Sequence, residues 1–252
     1  MESNEVLRQL TERKSVRAFT DRQIPESAVQ AILTAASNAP TAGNQQLYTI
    51  LRITDPALKA ALSESCDHQP FIAKAPLVLV FCADCRKWFD AYRSVGCEAR
   101  CPGAGDLLLA VDDALIAAQN AVTAAWSLGV GSCFIGDIME NMETQRALLR
   151  LPEYVFPAAM LVFGYPTEQQ RNRPKPPRAA LEFLVQENAY TPLDDAALRR
   201  MLLKNCTEDT YEDWLRAFHA RKYDSDFARE MTRSVAAFLR ELERGDEHAD
   251  PV

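Results

Sequence analysis

The feature that most constrains this chain is a run of 23 residues, 114–136, without a single charge. Its first part is rich in Ala, Ile, Leu and Val on all sides, so a helix there has to be covered, by a core or by a second subunit. The run is long enough to cross a bilayer. However, Gln119, Asn120, Thr123, Ser127 and Ser132 interrupt it, and Gly129 and Gly131 break its second half. The reading is a buried helix over 112–128, then a turn and a strand, in a soluble cytoplasmic protein.

Around that helix the pattern alternates between helices and short strands. The N-terminal stretch 4–12 reads as a helix capped by Ser3, and Val29, Ile32, Leu33 and Ala36 mark a second helix that starts after Ile24-Pro25 and ends before Pro40. Strands are expected at 48–53, 77–82, 133–135 and 159–163, the run 77–82 being apolar enough for burial on both faces. Short helices fall near 57–66 and 143–149. The stretch 84–106 reads as irregular structure or a lid, and TEQQRNRPKPPR (167–178) as an extended arm without regular structure. A strand is expected at 183–186 and a helix along Phe227, Met231, Val235, Phe238 and Leu242, with EHADPV (247–252) disordered. Without strict βαβ alternation, the fold class is α+β, with a mixed or antiparallel central sheet flanked by helices. The domain expectation is 1–195 for a main domain and 196–252 for a helical extension.

Charge excludes several functions. Lys and Arg number 28 against 35 Asp and Glu, a net charge of −7. Neither nucleic acid nor an anionic membrane is a natural partner for such a surface. The Rossmann and P-loop glycine motifs are both missing. Any anion must be held by a local cluster of cations, and two clusters exist. In an extended segment Arg13, Ser15 and Arg17 share a face, which makes a receptor for a phosphate; Lys14 lies within the same motif. Arg171, Arg173, Lys175 and Arg178 decorate the proline-rich arm. Each cluster is equally readable as solvated charge. The amide-rich loop Thr41-Ala42-Gly43-Asn44-Gln45-Gln46 pairs donors with acceptors in the manner a flavin pyrimidine or a nucleobase needs.

The seven cysteines are an odd number and read as reduced thiols. Cys82-x-x-Cys85 with Cys97-x-x-x-Cys101 approximates a zinc or iron–sulfur spacing, while Cys82 in an apolar strand reads as a small hydrophobe. Unconnected thiols are the favoured reading, with no metal; a metal site or a redox pair is the alternative. His68, His219 and His248 are read as incidental. Arg216, Arg221 and Lys222 read as solvated charges or as contacts to a nucleotide 2′-phosphate.

Taken in order, RKSVRAF (13–19), APTAGNQQ (39–46), FIAKAPLVLVFCAD (71–84), ALIAAQNAVTAAWSLGVGSCFIG (114–136), LVFGYP (161–166) and RPKPPR (173–178) resemble the flavin-dependent nitroreductase family, over roughly residues 7–190. The resemblance implies a nitroreductase-like three-layer fold and a homodimer. FMN would sit at its interface, NAD(P)H would be the reductant, and an extended arm would be exchanged between subunits. By position it implies that Arg13, Ser15, Arg173 and Lys175 hold the FMN phosphate, that Arg17 lies at the N1/O2 edge, that Thr41, Asn44, Gln46 and Gln69 face ring, ribityl chain or pyrimidine, and that backbone at Ile135 and Gly136 approaches N5. The implied activity is ping-pong electron transfer from NAD(P)H to a nitroaromatic, quinone or flavin acceptor, with chemistry at N5 and no protein acid or base. The alternative readings are an FMN-binding module with little turnover, or a metal or redox protein built on the four cysteines.

Overall fold

The computed structural model describes residues 4–247. Ser3 and residues 248–252 lie outside them, so the Ser3 cap and nearly all of the expected disordered tail are not addressed. The described chain forms two compact units, Pro174–Arg229 being one and the remainder the other.

In the first unit a four-stranded antiparallel sheet runs in the order β1-β2-β4-β3, with β1 Tyr48–Ile53, β2 Leu77–Asp84, β3 Gly131–Ile135 and β4 Val155–Gly164. The two central strands, β2 and β4, are buried along their whole length, as the apolar run 77–82 predicts. Alternation sorts β2 into two cores. Leu77, Leu79, Phe81 and Ala83 face α2 (Glu26–Ser37) and α6 (Ala104–Ser127); Val78, Val80 and Cys82 face Leu62 of α3 (Pro56–Ser65) and Ile72 of α4 (Pro70–Lys74). Helix, sheet and helix therefore stack as three layers of an α+β fold.

Helix α6 is 24 residues long and starts eight residues earlier than the sequence reading, because Asp106 in its first turn accepts the Gly103 N–H at 2.9 Å and fixes the start. Among the described residues it alone has the length and composition to cross a membrane, yet its inner face, with Ala110, Ala114, Ala117, Ala121 and Ala125, is buried on the sheet. Small side chains let helix and sheet approach closely. Its outer face leaves Leu108, Leu109, Leu115 and Ile116 exposed, so the helix is not covered all round within one chain.

Three local expectations are corrected. The stretch 84–106 is not wholly irregular: α5 (Arg86–Ser94) forms because the buried Asp84 carboxylate accepts the N–H groups of Arg86 and Lys87, both at 3.1 Å. The segment 167–178 is not uniformly extended: Thr167 caps a five-residue helix, α8 (Glu168–Asn172), which ends before Pro174. The run 183–186 is not a strand; Leu181–Phe183 make a 3₁₀ turn. Helix α1 spans Glu5–Glu12 with Asn4 as its cap, α7 spans Met142–Leu149, and α9 (Asp195–Leu202) and α10 (Tyr211–Lys222) belong to the second unit. The last helix, α11 (Asp226–Glu247), brings Phe238 and Leu242 into the α2–α6 core, with Phe238 4.9 Å from Phe156.

Candidate functional site

The motif 13–19 lies across the ends of β3 and β4, where two glycines make room for it. Gly131 and Gly164 are register partners. A Cβ on Gly131 would sit 2.6 Å from Val16 Cγ2, and one on Gly164 2.6 Å from Phe19. Val16 donates its N–H to the Ser132 carbonyl at 2.9 Å, and Ser15 bridges to Ser132. The segment is thus held as an edge strand, and its residues alternate as an extended chain requires.

On one side Arg13, Ser15 and Arg17 surround the Cys133 thiol. Burial pushes that thiol up, while the Arg17 and Arg13 charges and hydrogen bonds from Ser15 and Arg17 pull it back. Lys14 takes another course. Its ammonium donates to the carbonyls of Arg171 and Arg173 at 2.6 and 2.5 Å, pinning the end of α8 beside the motif. Arg173 comes to the same place: its Nη2 donates to the Ser15 carbonyl at 2.9 Å, and its buried Nε has no partner among the described residues. An orphaned buried guanidinium N–H beside two further arginines and a hydroxyl suits an anion with several acceptor oxygens, such as a phosphate. Lys175 belongs to the second unit.

Gln69, the cap of α4, donates through Nε2 to the Cys66 carbonyl at 2.8 Å, and a cavity of about 630 Å³ next to it is lined by Arg17, Phe19, Phe71 and Lys74. Ile135 ends β3, and the following Gly136 has nothing within 4 Å of where a side chain would sit, so its backbone is open to close approach.

The amide loop is elsewhere. It is built around Asp113, a buried carboxylate on α6 that accepts hydrogen bonds from the Thr41 hydroxyl and from the N–H groups of Ala42 and Leu47, the latter two at 3.0 Å. Thr41 Oγ1 in turn accepts from Gln46 N at 2.7 Å, and Gln46 Nε2 donates to the Ser37 carbonyl at 3.2 Å. From the other side Trp88 Nε1 donates to Gln45 O at 2.8 Å and Lys87 Nζ to Tyr48 O at 2.5 Å. Gly43, Asn44 and Gln46 all have positive φ, a turn that Gly and Asn accommodate readily. Sequence reasoning missed Asp113 and Trp88 as the frame of this loop. The available signal was Asp113 itself, a charge at helical spacing within the buried row Ala110, Ala114, Ala117.

Within one chain the loop and the cation cluster stand at opposite corners of the sheet. Tyr48 pairs with Ala83, which pairs with Phe156 at the start of β4, whereas the motif lies over Gly164 at its end. Eight residues of strand and three strand spacings separate them, about 26 Å along and about 14 Å across. Arg13, Ser15, Arg17 and Arg173 are brought together; Thr41, Asn44 and Gln46 are not brought to them.

The four cysteines are likewise dispersed. Cys82 and Cys85 are buried, and burial pushes both thiols up to about 12, while Cys97 is exposed and Cys101 partly so. Among the described residues no group of three His, Cys, Asp or Glu is placed to hold a metal.

A three-layer α+β unit with an arginine-bearing extended segment laid over a glycine pair is therefore the class of protein that fold and site define. Comparison with known proteins makes it specific: the Nitroreductase family profile matches residues 10–165, and the chain belongs to that family. It is 38% identical over 187 residues to the oxygen-insensitive NADPH nitroreductase of Salmonella typhimurium, covering 74% of this chain and 75% of that one. It is 29% identical to the FMN reductase [NAD(P)H] of Bacillus subtilis, over 95% and 92% of the two chains. Among solved structures, B. megaterium NfrA2 superposes with a TM-score of 0.83 at 28% identity, covering 95% of this chain and 98% of that one. The hypothetical oxidoreductase YcnD from Bacillus subtilis gives 0.82 at the same identity and coverage.

Proposed function

We propose that this protein is a soluble, cytoplasmic, FMN-dependent oxidoreductase that carries electrons from NAD(P)H to nitroaromatic, quinone or flavin-type acceptors by a ping-pong mechanism. The observation that carries the reading is the convergence of Arg13, Ser15, Arg17 and Arg173, with the unpartnered Arg173 Nε among them. The names of the relatives, an NADPH nitroreductase and an FMN reductase, fit it. FMN, when bound, supplies the hydride-accepting chemistry. Arg13, Ser15 and Arg173 would hold its phosphate, with Lys175 as a further cation, and Lys14 fixes the backbone that carries Arg173. Arg17 would supply a fixed cation beside the ring, favouring its reduced form. Thr41, Asn44, Gln46 and Gln69 would contact ring or ribityl chain, and backbone at Ile135 and Gly136, open at Gly136, would approach the reacting edge.

One flavin served by both the cation cluster and the amide loop requires two copies of the chain, since one copy sets these features at opposite corners of its sheet. The exposed Leu108, Leu109, Leu115 and Ile116 on α6 and Val6, Leu7 and Leu10 on α1 supply the apolar face that such a homodimer buries. The arm following Arg173 is the segment we assign to subunit exchange.

The test is the purified protein itself. It should be a yellow dimer with one FMN per chain, and it should oxidise NAD(P)H only when an acceptor is added. A protein that remains colourless and monomeric with added FMN refutes the proposal; a yellow protein without acceptor-dependent turnover reduces it to a flavin-binding module.

A further inference from the structure

Behind the amide loop, and at the other end of the sheet from the cation cluster, lies a cavity of about 340 Å³ that the reading above does not use. Its walls are Trp88, Phe89 and Tyr92 of α5 with Leu47, Pro102 and Leu109. The aromatic walls are held in place. The Trp88 indole donates to the Gln45 carbonyl at 2.8 Å and its ring lies 5.7 Å from Tyr92, while Phe89 meets Tyr154 edge-on at 5.5 Å. The loop after α5 closes one side and is tied down by Arg100, whose two guanidinium nitrogens bind Asp106 at 2.5 and 2.9 Å.

Size and charge select the ligand. A volume of about 340 Å³ is at the small end for ligand sites, which suits one or two fused rings and excludes a dinucleotide. The Arg100 charge is met by Asp106, so the rim offers no net cation for an acid or a phosphate. Flat π faces and aliphatic side chains, beside an Arg100–Asp106 pair that neutralises itself, match a neutral aromatic ring, with Gln45 as a further polar neighbour. We propose that this cavity is a binding site for a neutral, planar aromatic molecule of one or two rings. Because Trp88 carries both the cavity wall and the hydrogen bond to Gln45, a ring seated there packs directly against the support of the amide loop.

Indole is a suitable probe, since it is neutral, planar and not an electron acceptor, so binding is read without turnover. Isothermal titration calorimetry on the flavin-loaded protein should show one indole per chain. Two variants that fill the cavity from different walls, Cys85→Phe at the start of α5 and Ala99→Phe on the loop, should each weaken binding at least tenfold while circular dichroism stays unchanged. Either variant suffices if the other fails to fold. Absence of indole binding to the parent protein overturns the proposal. So does binding that a folded, cavity-filled variant leaves intact, which would place the ring elsewhere, for instance on the flavin.

Discussion

Glu140 offers the sharpest test of how this fold handles charge. It follows the 3₁₀ turn Gly136–Met139 that leaves β3, and it is only 7% exposed. Its Oε1 has no hydrogen-bond partner among the described residues. Burial, then the carboxylates of Asp137, Asp67 and Glu230, push its carboxyl from 4.5 up to about 7. Arg233, which pairs with the neighbouring Glu230, is taken up by Glu230 at 2.8 Å and by Glu143 at 2.9 Å. The folded protein therefore keeps a proton on Glu140 that the unfolded chain releases, so stability falls as pH rises from about 4.5 to about 7 and is level beyond that. At about 1.4 kcal/mol per pKa unit the ceiling is about 3 kcal/mol, or about 6–10 °C in Tm for a chain of this size. Glu140→Gln removes the titration and keeps the shape. Urea denaturation between about pH 5 and about pH 8.5 should find parent and variant nearly equal at the acid end, with the variant more stable by up to about 3 kcal/mol at the alkaline end. Curves that stay parallel across the range would refute the assignment of this buried acid.

The remaining predictions concern the site. Arg17→Ala should lower turnover and flavin reduction potential more than FMN retention, whereas Arg173→Ala should release FMN ten- to a hundredfold more readily, a charge-assisted hydrogen bond being worth about 1.5–3 kcal/mol; FMN dissociation constants and potentials of both variants decide. Asp113→Ala leaves the Ala42 and Leu47 N–H groups without their acceptor, so thermal melting should fall by about 2–5 kcal/mol in stability, and an unchanged melt would remove Asp113 from its role. Gly164→Ala forces a Cβ to 2.6 Å from the Phe19 ring; the strand 13–19 should shift, and FMN uptake should weaken even where circular dichroism is unaltered.

Much of the architecture is legible because it depends on short-range pattern. Strands β2 and β4 are covered on both faces, so an unbroken apolar run marks them, and α2 shows its buried Val29, Ile32 and Ala36 at helical spacing. Helix α5 is hidden because its aromatic face, Trp88, Phe89 and Tyr92, is short, lies among charged residues and is nowhere fully buried, and because its capping carboxylate, Asp84, reads as the end of the preceding strand. Helix α8 is hidden because five residues ahead of a proline-rich tract carry almost no periodic signal. Residues 183–186 show the converse, an apolar run that is not a strand.

The site divides along the same line. Alternation in an extended segment is a local property, and it correctly separates Arg13, Ser15 and Arg17 from Lys14 and Val16: the former face the Cys133 thiol, while Lys14 binds the α8 carbonyls and Val16 rests on Gly131. The support of the amide loop, by contrast, comes from Asp113, 72 positions from Thr41, and from an α5 indole, contacts that no spacing rule encodes. Sequence order also conceals distance. Motifs 13–19 and 39–46 lie close together in the chain, yet strand order β1-β2-β4-β3 sends them to opposite corners of the sheet. If both act on one flavin, chain proximity is misleading and symmetry provides the contact: the amide loop of one copy meets the cation cluster of the other. Binding of FMN then depends on dimerisation. Substitutions such as Leu115→Asp or Ile116→Asp on the exposed face of α6 should therefore release flavin although neither residue touches the cation cluster, and a monomeric variant that keeps FMN at parental affinity would show that one chain suffices.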